Sequence, residues 1–317
     1  MMRRRTLLTG AMALAATPAM AQDFPAPSLR MVVPFTPGGS NDLMGRMIAE
    51  RLGARWNRPF VVENRPGAAG NIGAEVVARS APDSATWLFA PNQVLTTNPL
   101  TMRTSFDPLR DLALAARVAT VQTILVVNPA LPVRSVRELV ALAKEKPGQY
   151  SYPSSGVGSF QHMGVGRLVG EDMVHVPYGG AAALMPDLLA GRVHAFCGAL
   201  NSILPHIRAG SLRAIAAMTP TRATLLPDVP TIAEAGFPGE ETEIWAGVVL
   251  AGATPRAIVN QVHGVLAGLF AEPEVIARLA TQGIEPAMQD PERFAGTVRT
   301  ELAANAALVQ RLGLRPG

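Results

Sequence analysis

One cysteine, Cys197, is all that 317 residues contain, so no internal disulfide can hold the chain and its stability must come from a packed core. Charge is scarce as well. Charged residues make up 16% against 48% apolar, which excludes a disordered or polyelectrolyte segment. No run reaches the roughly 18 uncharged apolar residues that a bilayer-crossing helix needs, although mean hydropathy is +0.21. Enzyme motifs are missing too: there is no GxxxxGK[ST] phosphate loop and no GxSxG elbow. Gly164, Gly166 and Gly170 form GxGxxxG, one residue too long for a dinucleotide fingerprint and inside an expected helix. The five histidines, His162, His175, His194, His206 and His263, show no HxH, HxxxH or HExxH spacing, so neither a metal nor a cofactor is expected. Cys197 and His194 fall on opposite faces of one expected strand, which leaves Cys197 as a small buried hydrophobe rather than a catalytic thiol. The adjacent acids Glu171-Asp172 and Glu240-Glu241 do not converge as an acid/base pair would.

What is present begins with an export signal. Arg3 to Arg5, an apolar run from Leu7 to Ala16, and Ala19-Met20-Ala21 form its three parts, so residues 1–21 are expected to be removed and the mature chain to start at Gln22 in the periplasm. Arg4-Arg5 before Thr6, Leu7 and Leu8 leaves both the general and the twin-arginine route open. Without the three arginines Arg3, Arg4 and Arg5 the net charge of +4 falls to +1, and the electrostatic case for a nucleic-acid partner goes with it.

Short apolar runs then alternate with amphipathic helical segments, the pattern of an α/β fold with mostly parallel sheets flanked by helices, in two lobes or one large domain. Strands are expected at Leu29 to Pro34, Phe60 to Glu63, Trp87 to Ala90, Ile124 to Asn128, Gln149 to Pro153, Met173 to Pro177, Arg192 to Ala199, Leu212 to Ala217 and Ile244 to Ala251. Ser135 to Glu138 reads as a capping box, Thr254-Pro255 opens a second helix and Asp290-Pro291 a last long one.

One unit occurs twice: a strand, a glycine-rich turn, then a helix start. The first turn runs through Phe35, Thr36, Pro37, Gly38, Gly39, Ser40, Asn41 and Asp42; the second through Ser154, Ser155, Gly156, Val157, Gly158 and Ser159. A helix start leaves N-H groups unpaired and carries partial positive charge, so both turns are candidate anion receivers. Asp42, in the first helical turn, is a candidate either to cap backbone N-H groups or to meet ligand or water directly. His162 reads equally as a helix residue bonded to nearby backbone and as a support for the ligand loop.

At these same residues the chain resembles the Bug, or tripartite tricarboxylate transporter substrate-binding, family. The resemblance rests on VVPFTPGGSNDLMGR (Val32 to Arg46), VVENRPGAAGNIGAE (Val61 to Glu75), PLRDLALAARVA (Pro108 to Ala119), SSGVGSFQH (Ser154 to His162), VHVPYGG (Val174 to Gly180) and LPDVPTIAEAGFPG (Leu226 to Gly239). It implies a two-lobed type II periplasmic binding fold of the Venus-flytrap kind, with lobe 1 at residues 22–110 and about 225–317, and lobe 2 at about 111–224. It implies passages between lobes near Ser105 to Ala116 and within Thr219 to Thr242, and a carboxylate held by the two turns. Asn92, His162 and Gly198 complete the expected ligand contacts, Gly198-Ala199 standing where the family commonly carries Asp-Asn.

The expected function is therefore a monomeric receptor delivering a small organic acid or amino acid to membrane transporter subunits. The alternative is a ligand-binding component that engages a sensor kinase through the same cleft, and a periplasmic enzyme acting on a carboxylate is the third reading.

Overall fold

All nine apolar runs become strands in the computed structural model, which describes residues 24–38, 40–178 and 181–313, without the side chains of residues 40, 181 and 182. The expected export segment and Gly39 lie outside the described residues. The chain opens with β1 (Leu29–Val33), α1 (Ser40–Trp56), β2 (Phe60–Asn64), a tight turn at Ala68–Gly70, α2 (Asn71–Ala78) and β3 (Thr86–Pro91). A π-turn at Gln93–Thr97 leads through α3 (Asn98–Thr101) to β4 (Leu112–Val121). Then come β5 (Thr123–Val127), α4 (Val136–Glu145), β6 (Ser151–Ser154), α5 (Phe160–Val169), β7 (Val174–Pro177), α6 (Ala181–Leu189), β8 (Ala195–Ala199), α7 (Leu200–Arg208) and β9 (Arg213–Ala217). The chain returns through β10 (Ile244–Ala251), α8 (Arg256–Phe270), α9 (Pro273–Ala280), β11 (Ile284–Gln289) and α10 (Pro291–Arg311).

Six strands form one sheet in the order β11-β4-β10-β3-β1-β2; β8-β5-β9 form a second sheet and β6-β7 a third. The expected predominance of parallel pairing is corrected here. Among the described residues, β1 runs parallel to β2 and β3, and β6 to β7, while β10, β4, β11, β5, β8 and β9 all pair antiparallel. Helices α1 and α2 carry the chain back between parallel strands. β4, β10 and β5 instead lie at passages between the two larger sheets, where no crossover helix intervenes.

Both faces of the six-stranded sheet are covered, and the period of two shows it. Met31, Val33, Trp87 and Phe89 join α1 and α8 on one face, through Ile48, Leu52, Val262 and Leu266. Val32, Leu88 and Ala90 join Val77, Phe294 and Val298 on the other. The second sheet repeats the scheme, with Leu125, Val127 and Cys197 facing α4 and α5, and Ile124, Val126 and Phe196 facing α6 and α7. Each such fully buried large side chain stabilises the fold by roughly 1.5–3 kcal/mol.

The helix starts use the expected chemistry. Ser135 accepts from the Glu138 N-H, and Asp290 from those of Glu292 and Arg293. Pro255 stands at the cap itself, not inside the first turn of α8.

Sheet membership changes at Gln122, between β4 and β5, and again at Thr242. Residues 112–116, expected near the first passage, are instead strand β4. The two crossings lie side by side: the Thr123 hydroxyl donates to the Thr242 carbonyl at 2.6 Å, and the Thr242 N-H donates to Met218 O at 2.7 Å.

Candidate ligand-binding site

β1 delivers the first glycine turn, and a carboxylate braces it. Asp42 is 3% exposed; its Oδ2 accepts from the Gly38 N-H and Arg46 Nε, both at 2.9 Å, and its Oδ1 accepts from Asn64 Nδ2 at 2.9 Å. Burial works against the charge, but the donors from Arg46, Gly38 and Asn64 outweigh it and hold the pKa at about 2. Asn64 also donates to Phe35 O at 3.0 Å, tying β2 to the turn. Of the two roles expected for Asp42, the structure shows the capping one. Thr36, Pro37 and Gly38 are exposed, Asn41 half-buried.

The second turn is wired without charge. Gly156 and Gly158 take φ of 136° and 76°, conformations that glycine adopts at no steric cost. The Gly156 N-H donates to Ser154 Oγ at 3.1 Å, and the Gly158 N-H to His162 Nδ1 at 3.1 Å. Ser154 and Ser159 hydroxyls both donate to Gly156 O, at 2.9 and 2.7 Å, while Ser155 Oγ donates to Gln161 Oε1 at 2.8 Å. Ser159 also caps α5, accepting from the His162 N-H. Val157, 64% exposed, forms the tip.

A third turn, not among the expected contacts, faces the second. Gly67, Ala68, Ala69 and Gly70 have φ of 129°, 45°, 53° and 98°, four successive positive values ending at the start of α2. Left-handed backbone costs an alanine about 1–2 kcal/mol, so Ala68 and Ala69 are held there by their surroundings. Close packing does the holding: a Cβ at Gly70 would stand 2.8 Å from Val94, and one at Gly73 2.7 Å from Pro34. Asn98 Nδ2 donates to Ala69 O at 3.0 Å and to Asn71 Oδ1 at 2.7 Å. Asn71 is 7% exposed, and its Nδ2 is a buried donor with no partner among the described residues.

Between these turns lies a cavity of about 390 Å³. Ala69, Gln93, Asn98, Thr101 and Met102 line one side and Ser155 to Ser159 the other, so no ionisable side chain is in its wall. Such a wall offers an incoming charged group N-H groups, amides and helix starts but no salt-bridge partner.

With the fold and cavity in view, the comparisons with known proteins decide the family. The model of the tripartite tricarboxylate transporter family receptor matches residues 44–314. The chain belongs to this receptor family. BugT of Bordetella pertussis is 33% identical over 309 residues, covering 95% of this chain and 94% of its own. A solved R. palustris protein with adipate has a TM-score of 0.79 at 34% identity, over 93% of this chain and 100% of the other. MatC from Rhodopseudomonas palustris with bound malate has a TM-score of 0.73 at 25% identity, over 90% of this chain and 100% of its own. The α/β architecture is that of the periplasmic binding proteins.

In this family receptor the other expected contacts fall in different places. Asn92 borders a second cavity of about 250 Å³, with Phe160, Met163, Arg167, Glu243 and Glu301, and its Nδ2 donates to Glu243 O at 2.9 Å. Gln93 is common to both cavity walls. Burial raises the pKa of Glu301 against the Trp245 and Thr96 donors that bond it. Gly198 is not in the 390 Å³ wall: it sits in β8 opposite Ile124, where a Cβ would come within 2.6 Å of Phe196. Cys197 beside it is fully buried, and burial pushes its thiol up to about 12.

Proposed function

We propose that this receptor captures a small organic carboxylate in the 390 Å³ cavity, in the periplasm, and passes it unchanged to membrane transporter subunits. The observation that carries the reading is the pair of positive-φ turns, Gly67 to Gly70 and Ser155 to Ser159, facing each other across a wall free of ionisable side chains. Family membership supports it, and so do the two relatives solved with adipate and with malate.

Micromolar capture corresponds to about 8 kcal/mol. One helix start supplies about 0.3–1 kcal/mol, rising to about 2 when partly buried, and a hydrogen bond to a charged group about 1.5–3 kcal/mol. The starts of α2 and α5, the Gln93 amide in the wall and covered ligand surface together are a sufficient source. None of the described residues of the first turn, Phe35 to Asp42, lines this cavity; Phe35 instead packs beside Gly70 of the third turn.

The lobes are drawn at the two crossings, Gln122 and Thr242, which moves residues 111–121 from lobe 2 to lobe 1 and residues 225–241 from lobe 1 to lobe 2 relative to the boundaries assigned from the sequence. Ligand touching both lobes favours the closed form by differential contact. A thermal-shift panel of organic acids, aromatic acids and amino acids on the mature chain tests the reading, since a ligand at 100 times its Kd stabilises by about 2.7 kcal/mol. The acids that shift the transition should be recovered unchanged by mass spectrometry, and conversion of any of them to product would overturn the receptor reading.

A further inference from the structure

Two histidines outside the cavity wall close a circuit around the second turn. His162 on α5 and His175 on β7 stack face to face, with ring centroids 3.6 Å apart and planes 2° from parallel. His162 Nδ1 receives the Gly158 N-H, and His175 Nε2 lies 2.7 Å from Ser154 Oγ. Ser154 in turn holds both the N-H and the carbonyl of Gly156. The two rings thereby join the two glycines that shape the turn.

The surrounding bonds set the tautomers. His162 Nδ1 accepts, so its proton is on Nε2. Ser154 spends its single proton on Gly156 O, so His175 donates from Nε2. His162, whose Nδ1 accepts, is neutral in this arrangement, and burial disfavours a charge on His175. A second proton on His162 would put an N-H at Nδ1, against the N-H of Gly158.

We infer that His162 and His175 are positioning residues which, as a neutral stacked pair, hold the Ser155 to Ser159 turn in its ligand-receiving shape and release it when His162 is protonated. The inference rests on reading this turn as part of the ligand cleft.

The environment suits that role. His162 is 5% exposed, and burial first, then the neighbouring His175, lowers its pKa to about 4. Burial lowers His175 as well. Tyr152 on β6 faces both rings, at 6.0 and 5.2 Å, and burial pushes its hydroxyl up to about 12, so it stays neutral. Arg167, on a different face of α5, donates to Gly239 and Glu241 carbonyls and meets Glu240.

The test begins without ligand. In the mature protein labelled with ¹⁵N, the Gly158 amide resonance should move as pH falls from 6 to 3.5, in step with the His162 imidazole. In His162→Asn, whose Oδ1 replaces Nδ1 as acceptor but does not titrate, it should stay still. His175→Gln, which keeps an acceptor-donor group near Ser154 Oγ, should retain the fold and shift the His162 titration upward by removing the stacked neighbour. Binding of adipate at pH 7 is the second readout. His162→Phe should weaken it by at least about tenfold, the effect of losing one buried hydrogen bond of about 1.4 kcal/mol, while His162→Asn stays within about threefold. A Gly158 amide indifferent to His162 protonation, or a His162 carrying its proton on Nδ1, would overturn the inference. Absence of adipate binding in the wild type would count against adipate as ligand and leave the amide titration to decide the positioning role.

Discussion

The two glycine turns look alike as sequence, each a strand, a glycine pair and a helix start, but they are rigidified by opposite chemistry. The first is held by an ionised carboxylate, Asp42, drawing on Gly38, Arg46 and Asn64. The second is held by neutral groups, Ser154, His162 and His175. A charged brace keeps its strength over the whole range above its low pKa, whereas a brace that requires neutral imidazole fails in acid. On the inference drawn above, the first turn is expected to tolerate acid better than the second.

Breaking the second turn directly should have the largest effect. Gly158→Val places a β-branched residue at φ 76° beside Thr101 and in the cavity wall. Strain of about 1–3 kcal/mol alone corresponds to roughly 5- to 150-fold weaker binding, measured by calorimetry against an acid identified in the thermal-shift panel. Circular dichroism should show a folded variant.

Acid should separate the turns next. His162 has its pKa lowered from 6.5 to about 4, so the native state binds fewer protons than the unfolded chain in that window. Its contribution to stability is full above about pH 6.5 and is lost progressively as pH falls to about 4. Asp42 keeps its contribution until pH falls below 3.8 toward 2. Amide hydrogen exchange near pH 4 should therefore accelerate at residues 156–159 relative to residues 35–38; equal acceleration would remove the contrast.

Asp42→Ala should cost about 1–3 kcal/mol in urea unfolding, because Gly38, Arg46 and Asn64 lose a shared acceptor, and Asp42→Asn should cost less. Ser159→Ala removes the cap of α5 and should cost about 1 kcal/mol. The smallest effect is expected at Ala69→Gly, where relief of left-handed strain offsets the looser unfolded chain to within about 1 kcal/mol; a large loss there would mean that the methyl itself packs against ligand or protein.

The sequence showed the turns because glycine beside a strand end is visible locally. It did not show β4, whose Leu-Ala-Leu-Ala-Ala stretch has weak strand preference and gains its conformation from β10 and β11 on either side. Nor did it show β11, where Pro286 argues against a strand and is tolerated at the sheet edge. The Gly67 to Gly70 turn was legible only as a family motif, since nothing local marks Ala68 and Ala69 as left-handed. The packing of Gly70 and Gly73 on Val94 and Pro34 decides it. The stacking of His175 on His162 was illegible for a similar reason: its partner lies on another element, and strand periodicity carries no such information.

Cys197 has a practical consequence. As the only thiol in the chain, fully buried and with its pKa pushed up to about 12, it will not compete for maleimide or other thiol reagents at neutral pH. A Val157→Cys variant would therefore carry a single reactive group at the exposed rim of the cavity. A fluorophore attached there converts the receptor into a reagentless reporter of its own ligand, with no native cysteine to remove first.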